Sequence, residues 1–156
     1  MLDFTATQTR IDQMQYAFIE NIKDMGDNEL TFKYIQGVVS NQPVQDEFSD
    51  NKRLNTIFKD TREIQIAENA ARYVVRFDNY IAFSVINESY ADGADLAPPI
   101  SGHKLRVYEQ SHFLNYAGAS TFATHDYPGV FRHYQFISLN HIVNVASCDP
   151  PRVFLI

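Results

Sequence analysis

The chain contains no tryptophan and one cysteine, and only six glycines and six prolines among its 156 residues. With Cys148 as the single thiol, no intramolecular disulfide can form, so the fold must be held by its core. That usage suits a reducing compartment. No apolar run approaches the roughly 20 residues of a membrane span. Residues 1–8 lack the basic start and apolar centre of a signal peptide. The expectation is a cytoplasmic protein with no membrane partner. Positive charge is also scarce: 13 Lys and Arg stand against 19 Asp and Glu, for a net charge of −6. There is no basic run or stripe, so phosphate backbones are repelled and nucleic acid is not expected as a partner. A basic protein partner fits the sign of the charge.

The usual chemical signatures are missing too. There is no Gly-x-Ser-x-Gly elbow, no GxxxxGK[ST] and no GxGxxG. His103, His112, His125, His133 and His141 form no HxH, HxxxH or HExxH spacing, so neither a metal nor another cofactor is expected. Cys148 has no cationic neighbour before Arg152 to lower its pKa, and reads as a structural thiol.

What the chain does have is apolar bulk: 45% of residues are hydrophobic and 21% charged, a globular balance. A chain of this size fits one domain, residues 1–156, and buries roughly 68–70% of its unfolded surface. The aromatic residues are 12 Phe and 9 Tyr. Buried tyrosines need hydroxyl partners, so several are expected to line a partly wet surface or pocket.

Periodicity supplies the elements. Ile11, Met14, Phe18, Ile22 and Met25 recur at helical spacing, which predicts an amphipathic helix over 8–25 ending at Gly26. Asp27-Asn28 is a turn, and a strand is expected over 30–39, with Gly37 marking a bulge. Ser49 would cap a short helix carrying Leu54, Ile57 and Phe58. A brief strand is expected over 63–67. Residues 73–85 place Tyr73, Val75, Phe77, Ile81, Phe83 and Val85 on one side of an extended chain, interrupted by Asn79. Asp78-Asn79 would suit a two-residue hairpin, but a bent continuous strand keeps all six apolar residues on one face and is preferred. Residues 91–102 and 124–129 read as loops, 104–109 as a strand, and Ser111 as the cap of a helix ending at Gly118. Residues 133–145 repeat the long-strand pattern, and the apolar 153–156 is expected to be a tied-down last strand, paired within the chain or across a dimer. Without βαβ alternation, these elements predict an α+β fold with a strongly curved, mostly antiparallel sheet, cone-like or half-barrel in form. An N-terminal amphipathic helix and one or two short helices would accompany it.

Function is less legible. The leading expectation is a binding or protein-interaction module that self-associates as a homo-oligomer and takes a small molecule or a basic protein. The alternative is a cofactor-free enzyme. There His141, between Leu139 and Val143, would be a buried general base. Asn79, Tyr73 and Tyr134 would orient the substrate inside the curved sheet. His125, Asp126 and Tyr127, with Asp92, Asp95 and His103 from the other loop, would form a mouth if both loops rim one end.

Overall fold

The computed structural model describes residues 3–43, 56 and 61–156. Among these, two helices, α1 (Phe4–Asp12) and α2 (His112–Ser120), accompany nine strands. The strands are β1 (Tyr16–Gly26), β2 (Glu29–Pro43), β3 (Arg62–Gln65), β4 (Arg72–Phe77) and β5 (Tyr80–Asn87), then β6 (Leu105–Tyr108), β7 (Arg132–Ile137), β8 (His141–Ser147) and β9 (Arg152–Leu155). The fold is α+β, and its strand pairs run antiparallel. Two open sheets stand in place of one cone: β1-β2-β4-β9 with β3 on β2, and β5-β8-β7-β6.

The two sheets turn their apolar faces to one core. Leu30, Phe32 and Tyr34 of β2 and Tyr73, Val75 and Phe77 of β4 alternate inward, because successive strand side chains point to opposite faces. Leu105 and Val107 of β6, Tyr134 and Phe136 of β7, and Val143 and Val145 of β8 supply the other wall. Phe136 is the centre, with edge contacts to Phe32 (centroids 4.9 Å) and Phe77 (6.3 Å). Polar ties lock the layers. Tyr34 Oη donates to the Ile137 carbonyl (2.6 Å), and Asn140 exchanges two hydrogen bonds with the Ile19 backbone. At the end of α1, Asp12 Oδ1 accepts the backbone N–H groups of His103, Lys104 and Leu105, fastening that loop to the helix.

Several expectations change. The helix over 8–25 is instead α1 followed by β1. Asp3 caps α1 through Ala6 N–H, and the chain turns back at Asp27 (φ 50°) and Asn28 (φ 61°) so that β1 pairs with β2. Gly37 is not a bulge, since it lies in register opposite Tyr16. A Cβ there would press on the Phe18 ring, the Ile64 methyl and Tyr16, so close packing explains the glycine. The run 73–85 bends at Asp78-Asn79 but is no hairpin: β4 and β5 leave the bend into different sheets. The run 133–145 is not one strand. It reverses over Ser138-Leu139-Asn140, and β7 pairs with β8. The helix at Ser111 forms as expected but continues past Gly118 to Ser120. The last strand pairs with β4 within the chain. The helix expected after Ser49 lies outside the described residues. Among the described residues, no helix is long and apolar enough to cross a membrane.

Candidate functional site

Four connecting segments meet at one end of the second sheet. They are the β1–β2 turn, the bend between β4 and β5, the segment after α2, and the link from β8 to β9. Between them lies an open cleft of about 460 Å³, lined by Asn28, Asn79, Tyr80, Ile81, Cys148 and Asp149 on one side and residues 121–123 with Tyr127 and Pro128 on the other.

The rim is aromatic. Phe122 is 82% exposed and Tyr127 64% exposed, and their rings stack 5.9 Å apart at 17°. Short bonds place both. The Thr121 hydroxyl donates to the Ala117 carbonyl and accepts from Ala123 N–H, fixing the backbone on either side of Phe122. Thr124 Oγ1 accepts from the N–H groups of Asp126 and Tyr127, while Thr124 N–H donates to the Tyr127 carbonyl. The Tyr127–Pro128 peptide bond is cis. The stack stands in water at the mouth of the cleft on a backbone held by local hydrogen bonds.

The walls are polar and acidic. Tyr80 Oη donates to Asp24 Oδ2 (3.0 Å); partial burial and that carboxylate push its pKa up. Cys148 Sγ–H faces the Gly129 carbonyl at 3.7 Å. Burial and the neighbouring Asp149 raise its pKa, which disfavours the thiolate form. The exposed Asp149 carboxylate has no hydrogen bond or ion pair among the described residues. Among the described residues, no Lys, Arg or His lines the cleft.

A second polar cluster sits on the outer face of the second sheet, under α2. His133 Nε2 lies 2.9 Å from Asn144 Oδ1, and Nδ1 lies 3.0 Å from Ser111 Oγ. Asn144 Nδ2 donates to Ser84 Oγ, which leaves Oδ1 as the acceptor towards the ring. His133 therefore carries its proton on Nε2, and the Ser111 hydroxyl donates to Nδ1. This is a Ser-His-Asn relay in outline. Yet Ser111 is fully buried, His133 is 1% exposed, and Tyr108 and Phe113 pack on the imidazole. Ser111 Oγ also accepts Leu114 N–H as the cap of α2. Burial pushes the His133 pKa down, against the opposing pull of the Asn144 hydrogen bond and of Asp95. The serine is poised but sealed from any substrate.

Two smaller clefts, about 300 and 220 Å³, share Asp95, Arg106 and Tyr108 at the opposite end of the second sheet. Among the described residues, no group of three or more His, Cys, Asp or Glu side chains is placed to hold a metal ion.

The residues singled out by sequence are scattered. Asn79 and Tyr127 line the large cleft; His125 and Asp126 are exposed on the same loop but are not part of its wall. His141 pairs with Asn87 at the far end of β5, whereas Asn79 precedes Tyr80 at the near end. Eight residues of strand put the two about 26 Å apart, so they do not converge. His141 Nδ1 is buried without a partner, and the residue lines none of the three clefts. Tyr73 and Tyr134 point into the core and line none of the three clefts. The loops over 91–102 and 124–129 open onto different clefts and form no common mouth. Sequence reasoning missed Phe122, Tyr80 and Asp149. The one available signal was the density of aromatic residues in 122–127 beside a turn. No protein-family model, curated protein or solved structure matches the chain.

Proposed function

We propose that the protein is a binding module and that its recognition site is the cleft rimmed by Phe122 and Tyr127. The observation that carries this is the exposed, stacked ring pair held by short local hydrogen bonds over a cavity of ligand size. Exposed rings of this size are not needed by the core, and rigid aromatics give contact area at little entropic cost. The enzyme alternative finds less support. Among the described residues, the cleft holds no activated nucleophile or histidine, and His141 lies at the far end of β5.

Self-association belongs to the same proposal, through β5. It is an edge strand of eight residues without a charge, and Val85 and Ile86 are exposed on it. Edge strands normally carry charge, bulges or proline against pairing. By contrast β9 begins with Arg152, β6 is four residues long, and β1 is bulged at Glu20/Lys23 and Asp24/Gly26; the one irregularity of β5, at Tyr80/Ala82, leaves its stretch from Phe83 to Asn87 in regular register. Light scattering would show a dimer, and Val85→Lys would shift it to monomer; a monomer at every concentration removes this part.

The binding reading is tested by a fragment screen followed by amide NMR. The expected result is shift changes concentrated at residues 121–128 and 148–149 that vanish in Phe122→Ala. Fragments that bind elsewhere and survive that change would refute it.

A further inference from the structure

We infer that the cleft selects organic cations: an ammonium head group carrying apolar substituents, seated on the Phe122–Tyr127 faces and facing Asp149. The inference rests on the binding reading above and specifies its ligand.

Three independent features converge. The ring faces of Phe122 and Tyr127 present negative quadrupole density to solvent, and Tyr80 adds a third aromatic wall. The centroid spacing of 5.9 Å at 17° is too close to admit a ligand between the two rings, so the stack acts as a platform. The second feature is charge. Asp149 is the ionisable carboxylate in the lining and is unpaired; Asp24 stands behind Tyr80, accepting its hydroxyl. Among the described residues, no cation competes for either from within the cleft. The third is the wider field: a net charge of −6 repels anions and draws cations towards the opening. A neutral apolar ligand would use the rings but waste the carboxylate, and an anion would meet Asp149 unscreened. Methyl or methylene groups around the positive nitrogen satisfy the platform, and the charge satisfies both the ring faces and the carboxylate. The surrounding amides, Asn28 and Asn79, can accept or donate to a hydroxyl on the same ligand.

The test compares choline with its uncharged isostere, 3,3-dimethylbutan-1-ol, by titration calorimetry and by NMR of the ring protons of Phe122 and Tyr127. Choline is expected to bind about tenfold more tightly than the alcohol. Asp149→Asn should narrow that gap, and Phe122→Ala should abolish binding of both without unfolding the chain. Raising the salt should weaken choline alone, because the carboxylate is exposed. Equal binding of the two probes would overturn the cation assignment and leave the binding module standing. A cleft silent to choline but bound by uncharged fragments would do the same. Silence towards choline and towards every fragment would sink both readings.

Discussion

The His133 cluster and the Phe122–Tyr127 cleft stand at opposite extremes. The first has a serine hydroxyl donating to an imidazole whose other nitrogen is held by an amide, but no route from solvent. The second has the opening and the exposed rings, but its thiol has a raised pKa and faces a carbonyl. Relay geometry alone is therefore a poor guide to chemistry, because a buried hydroxyl that caps a helix needs the same partners as one poised for attack. What separates the sites is access: the cleft is open to solvent and the histidine cluster is closed to it.

The largest expected effect is on the sealed side. His133→Leu strands the Ser111 and Asn144 groups in a buried site, and should cost about 3 kcal/mol in chemical denaturation. Fragment binding at the cleft should be unchanged at temperatures where the variant stays folded. If binding is lost while folding persists, the two regions are coupled and the comparison fails.

A smaller effect is expected from pH. The folded His133 ring takes up a proton less readily than the unfolded one, whose pKa is near 6.5. Its contribution to stability is complete above that value and is lost as pH falls through the lower folded pKa. Denaturation midpoints should drop between pH 7 and pH 5, and the drop should be shallower in His133→Gln. The Asp78 carboxylate adds to the acid side. Slight desolvation raises its pKa, but hydrogen bonds and charge from Arg152 and Arg76 outweigh this and hold it below the usual range. Its stabilisation too is present above the unfolded carboxylate pKa and is lost as the pH falls through the folded one. A midpoint that rises on acidification would contradict both assignments.

The smallest effect on stability should come from the cleft. Phe122→Ala removes an exposed ring and should change stability by no more than about 0.5 kcal/mol, while abolishing binding. A loss well above that would make Phe122 part of the core rather than the rim.

The α+β class, the Asp27-Asn28 turn, the strands near 30–39 and 104–109, and the cap at Ser111 were legible because each rests on local chemistry. The inward set of Tyr73, Val75 and Phe77 was legible from alternation alone. The errors arose where one pattern served two periods. Ile11, Met14 and Phe18 fit a helical stripe, yet pairing with β2 claims residues 16–26 for a strand. In the run 133–145, alternation cannot register the reversal at Ser138-Leu139-Asn140, which swaps the inward face: Tyr134 and Phe136 join Val143 and Val145, while Ile137 and Leu139 fall outside that set. The cleft was only partly legible. Asn79 and Tyr127 stood out, but Asn28, Phe122 and Asp149 come from segments far apart in sequence, and no spacing rule joins them.

The most direct measurement is a crystal structure of the protein with the tightest-binding fragment. Ligand density packed on the faces of Phe122 and Tyr127, within reach of Asp149, is the expected result. Density beside His133, or in the clefts around Arg106, with the Phe122–Tyr127 platform bare, would contradict the account.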